Sequence, residues 1–279
     1  QFVSFLLLPV YTDKLTAAEY GVLDVYLTLA SILIPVLTLQ IEQGIFRFLI
    51  TQDEKKEVVL STSVAYIFFV CVLMTVAFIP INSFLNIANS SYLYVYYLSY
   101  MVYVVGMQLA RADGNNALYS FASFFSSFLV IVLNICFLIP FNMGIKGVLL
   151  SHVIAYITTI VIVVFVLKTY KFLKVCYIHF GCFKSLMAYS VPLVFNQISS
   201  WIINYSDRLI IVGVLGMGAN GIYALANKFF TLLTSVFNIY NIAWTEMIAK
   251  TMKDKDRNNY YNSMINLTIQ IYMLICAWI

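Results

Sequence analysis

Seven charged side chains stand inside stretches that are otherwise apolar: Asp24, Glu42, Arg47, Asp207, Arg208, Lys228 and Glu246. Their chemistry is that of reversible charge pairing. A carboxylate close to a lysine or arginine has a proton affinity that depends on the distance of that neighbour. Asp207, with Arg208 beside it and Lys228 on the next apolar stretch, is therefore a candidate gate or coupling site, paired across a hairpin with Lys228. The planar guanidinium of Arg47, five residues after Glu42, suits the oxygens of a phosphate or pyrophosphate. It also suits a simpler task, anchoring a helix end by reaching for the interface. Asn196, Gln197, Ser199, Ser200, Asn204 and Ser206 lead up to Asp207 as a polar stripe, which serves either a solvated pathway or hydrogen bonding between helices. Asp24 and Glu246 lie near the ends of their stretches and read as ordinary boundary residues.

These side chains need elements that hold them inside a membrane. Of the 279 residues, 62% are hydrophobic and 10% charged, and the mean hydropathy is +0.91. A soluble domain has about a quarter of its residues charged. The apolar residues come in blocks of roughly 20, long enough to cross a hydrocarbon layer of about 30 Å as helices. Helices satisfy their own backbone groups where lipid offers no partner, and the alternation expected of barrel strands is absent. The expected class is an all-α, polytopic membrane protein.

Apolar runs predict spans at about Gln1–Val10, Gly21–Leu49, Val58–Ile79, Tyr92–Ala110, Ala117–Ile139, Val148–Leu167, Leu186–Leu215, Gly221–Ala243 and Ile265–Ile279. The first and last of the nine look cut, so the chain reads as a fragment of a longer transporter. Lys55, Lys56, Arg111, the lysines at 168, 171, 174 and 184, and the basic residues from Lys250 to Arg257 fall on one side. Only Lys14 and Lys146 fall on the other. The positive-inside bias places the first group in the cytoplasm and the loops near Asp13, Asn86, Asn142 and Met217 outside. The net charge of +4 is thus topogenic, and no nucleic-acid partner is expected. Three segments follow: a six-helix bundle over residues 1–167, a basic cytoplasmic connection over 168–185, and the start of a second bundle over 186–279. Tyr170, Phe172 and Tyr177 interleave with lysines in the connection, a pattern that suits a helix at the headgroup level.

An internal repeat supports this division. Ala18-Glu19-Tyr20-Gly21-Val22-Leu23 resembles Ala219-Asn220-Gly221-Ile222-Tyr223 at an offset of 200 residues, each at the outer start of an inward-going span. An even number of spans between the copies makes the repeat parallel, with the substrate site expected between the halves. The charge follows the repeat. The third to sixth spans hold no Asp, Glu, Lys or Arg, whereas the second, seventh and eighth hold six of the residues above, with Glu246 just past the end of the eighth. A charge at the bilayer centre costs at least about 2.5 kcal/mol, so those three spans are expected to line a protected or watery interior.

No GxxxxGK[ST], HExxH, GxSxG or GxGxxG motif occurs, so no enzyme activity, cofactor or nucleotide hydrolysis is expected. Cys176, His179 and Cys182 are three zinc-type residues without a fourth and read as free groups, so no metal is expected. Cys71, Cys136 and Cys276 read as packing residues within spans, and His152 as a hydrogen-bonded helix contact.

Several motifs carry a family resemblance. Leu8-Pro9, then Leu15-Thr16-Ala17-Ala18-Glu19-Tyr20-Gly21, then Ile41-Glu42-Gln43-Gly44-Ile45-Phe46-Arg47-Phe48 resemble the opening of the polysaccharide transporter family, the Wzx-type flippases of the MOP superfamily. Tyr189-Ser190-Val191-Pro192-Leu193, Ser206-Asp207-Arg208 and Gly221-Ile222-Tyr223-Ala224-Leu225-Ala226-Asn227-Lys228 follow in the family's order. The resemblance implies a MATE-like helical bundle of 12 to 14 spans in the bacterial inner (plasma) membrane, of which this chain would cover about the first nine. It would move an undecaprenyl-pyrophosphate-linked oligosaccharide, such as an O-antigen or capsule repeat unit, by alternating access. H+ or Na+ would be the coupling ion, and polysaccharide polymerase and chain-length proteins candidate partners alongside membrane lipid. It carries a substrate or gating role onto Arg47, Asp207 and Arg208, and less firmly onto Lys228. A multidrug or small-cation exporter of the same superfamily and a membrane-embedded sugar transferase or polymerase are the alternatives. The short, nearly uncharged outer loops count against the last of these.

Overall fold

A computed structural model of the chain describes residues 6–51, 55–85 and 89–228, together with scattered positions beyond 229. Phe2–Lys228 form one compact unit; in the other, Phe229–Ile279, the described positions are helical. Asn86, Glu246, Cys276 and the basic residues from Lys250 to Arg257 lie outside the described residues.

Every described element is helical. In chain order they are α1 (Leu8–Lys14), α2 (Ala17–Leu37), α3 (Ile41–Thr51), α4 (Lys56–Leu85), α5 (Ser90–Ala112), α6 (Asn116–Leu138), α7 (Gly144–Leu167) and α8 (Phe180–Leu215), followed by a helical stretch over 217–228. Six of the described helices, α2 and α4 to α8, are long and apolar enough to cross a membrane. The starts have local causes. Thr16 and Glu19 form a capping box, in which the Glu19 amide donates to Thr16 Oγ1 at 3.2 Å and the Thr16 amide to Glu19 Oε2 at 2.9 Å. Asn115 caps α6 by accepting from the Leu118 amide, and His179 caps α8 through Nδ1, which accepts from the Cys182 amide.

One expected span is not continuous. The run from Gly21 to Leu49 divides into α2 and α3 at Thr38–Gln40, where Leu39 and Gln40 take positive φ values of 50° and 55°. Pro35, with no amide hydrogen, removes the bond that would close its own turn. Its carbonyl then accepts from the Gln40 amide, one residue beyond helical spacing, and α3 restarts from Thr38. Neither Leu nor Gln favours the left-handed region, so the break holds strain of the kind found near functional sites.

The connection after α7 also differs from the expected surface helix. Lys168, at φ 51°, ends α7, and two short 3-10 turns follow at Thr169–Lys171 and Val175–Tyr177. Hydroxyls of α4 fix its backbone: Ser61 Oγ donates to the Phe172 carbonyl and accepts from the Lys174 amide, and Thr62 Oγ1 accepts from the His179 amide. Backbone groups engaged with α4 cannot also close helical turns. The ion pair between Lys56 and Asp113 and the Arg111 guanidinium 4.5 Å from the Phe46 ring belong to this same end of the bundle.

α5 packs on α7, α7 on α6, and α8 lies along both α2 and α3. Near one end of that seam the backbones meet directly. A Cβ on Gly21 would stand 2.0 Å from the Met217 carbonyl oxygen, and one on Gly221 would stand 1.9 Å from that of Ala17. The contact is reciprocal at an offset of 200 residues, so the two similar segments pack against each other. At the other end a Cβ on Gly44 would fall 2.6 Å from Ser190 Oγ of α8.

Candidate functional site

Between those two glycine crossings α2 and α8 exchange polar contacts at several points. Trp201 of α8 donates from Nε1 to the Thr28 carbonyl and to Ser31 Oγ, both at 3.1 Å. One and a half to two turns further along α8, Arg208 forms an ion pair with Asp24 and donates to Thr28 Oγ1 at 3.1 Å. The two charged side chains are only 12% and 6% exposed. Asn220 is fully buried and donates from Nδ2 to the Gly21 carbonyl at 3.1 Å. This network fills the α2/α8 seam from the Trp201 contact to the Gly21 crossing. It is incompletely satisfied: Asp24 Oδ2, Arg208 Nε and Asn220 Oδ1 are buried without a hydrogen-bond partner. A buried charge pair with free lone pairs and donors favours a rearranged or ligand-bound state more than a fully satisfied pair would.

The sequence-derived candidates divide into three groups. Asp207, Arg208 and Lys228 come together. Arg208 is the pair's cation, the Asp207 carboxylate accepts from the Tyr223 hydroxyl and, at 2.9 Å, from the Arg208 amide, and Lys228 is within electrostatic reach of Asp24 and Arg208. The expected Asp207–Lys228 pairing is replaced by Asp207–Tyr223. Tyr223 sits closer to the turn at Gly216 than Lys228 does, and its depth matches that of Asp207 on the antiparallel α8, whereas Lys228 is a turn and a half deeper.

Glu42 and Arg47 form a second group, on α3 beyond the helix break. Glu42 is 3% exposed and accepts from Thr38 Oγ1 at 3.0 Å; no cation pairs with it among the described residues. Arg47 is exposed, its guanidinium 4.4 Å from the Tyr189 ring of α8 and 5.9 Å from Phe48. Asn196, Gln197 and Asn204 make up the third group and stay apart from the network. Asn196 and Asn204 are exposed, Gln197 is half-buried, and Asn204 Nδ2 folds back onto the Ser200 carbonyl of its own helix.

Asp24 was the residue that sequence reasoning set aside. Its place near the start of an apolar run suggested a boundary, yet it is buried and is Arg208's partner. The available signal was the unmatched charge: an arginine inside a span needs a carboxylate from another span. His152 makes the helix contact expected of it, donating from Nδ1 to the Val148 carbonyl at 2.9 Å. Cys176 is exposed and Cys182 buried, and the described residues hold no cluster of three metal-ligating side chains.

Comparison with known proteins places this geometry. A family model described as "Polysaccharide biosynthesis protein" matches residues 1–252. The chain belongs to that family. Among curated proteins none matches. Two solved structures share the fold of this polysaccharide biosynthesis family member, both multidrug resistance MATE family transporters of the MOP superfamily. One is inward-facing, at TM-score 0.63 and 16% identity, covering 82% of this chain and 57% of the other. The second is outward-facing, at TM-score 0.59 and 16% identity, covering 99% and 73%. The chain thus spans little more than half the length of the inward-facing transporter. At that identity the likeness concerns the fold: an all-α, multi-pass membrane protein of the MOP type.

Proposed function

We propose that the protein moves an undecaprenyl-pyrophosphate-linked oligosaccharide across the bacterial inner membrane by alternating access. The observation that carries this reading is the buried Asp24–Arg208 pair joining α2 and α8 at the crossing of the two similar segments. Alternating access needs a seam that closes on one side and can part, and a charge pair with free valences at a helix crossing is such a seam. Membership of the polysaccharide biosynthesis family supports a glycan-bearing cargo. Arg208 offers the cargo's pyrophosphate a buried cation once the pair opens, and Arg47 offers an accessible one at the cytoplasmic end. In that scheme Asp207 and Lys228 tune Arg208's availability, and Glu42 is the candidate site for a coupling H+ or Na+. Asn196, Gln197 and Asn204 are candidate contacts to sugar hydroxyls along α8.

Deleting the gene and assaying surface polysaccharide and lipid-linked oligosaccharide on the cytoplasmic leaflet tests the assignment. The expected outcome is an inward-facing intermediate that accumulates and is cleared by the wild-type gene. Complementation by Arg47→Ala or Asp207→Ala should fail although the protein reaches the membrane, and Cys176→Ser should behave as wild type. Unchanged surface glycan with altered tolerance to cationic drugs would replace the flippase reading with that of an exporter.

A further inference from the structure

Two neighbouring helices use aromatic residues differently. α6 carries Phe121, Phe124, Phe125, Phe128 and Phe137, of which Phe121, Phe124 and Phe128 are 54%, 71% and 52% exposed on the outside of the bundle. α5 carries six tyrosines and no phenylalanine, and Tyr96, Tyr100 and Tyr103 follow one face at helical spacing. The rings are alike in size, but a phenol buried in a membrane protein costs free energy unless its hydroxyl finds a partner. Phenylalanine points outward on α6, whereas the α5 tyrosines turn inward to polar partners, Tyr96 to Tyr156, Tyr97 to the Tyr26 carbonyl and Tyr103 to Ser126.

These tyrosines form a wall that continues onto α7. Tyr96 and Tyr100 have parallel rings with centroids 6.0 Å apart, and Tyr103 stacks on Tyr156 of α7 at 4.4 Å. Tyr100 and Tyr156 are 5.5 Å apart, and His152 sits edge-on to Tyr96 at 5.8 Å. Tyr100, His152 and Tyr156 are half-buried, each keeping some accessible surface. The Tyr97 hydroxyl donates to the Tyr26 carbonyl at 3.1 Å, which sets the wall at the depth of Asp24 and Thr28. Tyr205 links the two features: it lies 5.2 Å from the Arg208 guanidinium and within electrostatic reach of Tyr100.

We infer that the Tyr100–Tyr156 wall is a stacking subsite for a pyranose ring of the lipid-linked glycan, an inference that rests on the flippase reading above. A pyranose presents an apolar C–H face that packs on an aromatic ring and a rim of hydroxyls that need donors and acceptors. Phenol hydroxyls supply both, and His152 Nε2 is the ring nitrogen left over after Nδ1 donates to Val148. Aromatic faces also attract organic cations. Both signs of charge border the wall, Lys228 within electrostatic reach of His152 and Glu42 within reach of Tyr100, while the Arg208 beside Tyr205 is paired with Asp24, so what favours a sugar here is the phenol hydroxyls around the rings.

The test uses full-length protein in nanodiscs with three probes: lipid-linked oligosaccharide extracted from cells lacking the gene, bare undecaprenyl pyrophosphate, and tetraphenylphosphonium. Tyr100→Leu and Tyr156→Leu should each weaken the oligosaccharide lipid about tenfold, the size of one good stacking contact, and leave bare undecaprenyl pyrophosphate unchanged. Tyr100→Phe, which keeps the ring, should lose less, and it controls for misfolding of the leucine variants. Equal losses for both lipids, or none for either, would overturn the subsite while leaving the flippase reading intact. Wild-type protein that binds tetraphenylphosphonium but neither lipid would overturn both.

Discussion

Asp24 and Arg208 show how a charge inside a membrane protein is made tolerable and why it remains useful. Each is almost wholly buried, and each leaves one polar atom unbonded. Removing one partner strands the other: Asp24→Ala or Arg208→Ala is expected to cost about 3–5 kcal/mol, read as a lowered thermal midpoint of full-length protein in detergent. The exchanged pair, Asp24→Arg with Arg208→Asp, should recover much of that stability; no recovery would show that the pairing does not set the cost. Half of this site was legible in the sequence. Arg208, Asp207 and Lys228 announce themselves as charges in apolar runs, but the partner of each depends on how two helices are staggered. A Tyr223 that outcompetes Lys228, and an Asp24 that lies opposite Arg208, are consequences of stagger, which the spacing of one helix does not encode. The tyrosines of α5 were overlooked for a related reason. An aromatic residue in an apolar run is consistent with packing until its neighbours on another helix are known.

At the scale of the element, the five expected spans between Val58 and Leu215 were read well, because 1.5 Å per residue against a fixed hydrocarbon thickness leaves little freedom. The division of α2 from α3 was not read. Pro35 lies before the break, and the residues that take left-handed backbone, Leu39 and Gln40, are of types that give no turn signal. Replacing Gln40 by Gly should therefore preserve or raise thermal stability, and replacing it by Ile should lower it by about 1–2 kcal/mol, since a branched side chain fits that region poorly. Glu42, just after the break, and Thr38, within it, would shift with any change in the angle between α2 and α3, which ties the strain to a buried carboxylate. The glycine crossing offers a sharper case. Gly21→Val should drive α2 from the 217–228 stretch, because the added atoms meet a backbone carbonyl that cannot turn aside. Weakened folding together with loss of surface glycan is the expected result. Full activity in Gly21→Val would mean that the two similar segments need not touch.

At the scale of the whole molecule, composition alone separated membrane from soluble, and the alternation of basic loops separated one face from the other. The six long apolar helices agree with the first of these, and the family model places the chain among polysaccharide biosynthesis proteins. Cargo and coupling ion were less legible, since a cavity wall and a lipid-facing wall are both apolar in sequence and differ only in what lies opposite. The central claim is that full-length protein carries a glycan lipid through a pathway controlled by the Asp24–Arg208 seam. Reconstitution into liposomes that hold fluorescently tagged undecaprenyl-pyrophosphate oligosaccharide, followed by a reagent that quenches only the outer leaflet, measures this directly. Wild-type protein should make the inner-leaflet pool reachable under an imposed ion gradient, and protein with Asp24 and Arg208 replaced by a cysteine pair and cross-linked should not until reduced. A cross-linked protein that still exchanges the lipid at the wild-type rate, or wild-type protein that leaves the inner pool untouched, would contradict the account.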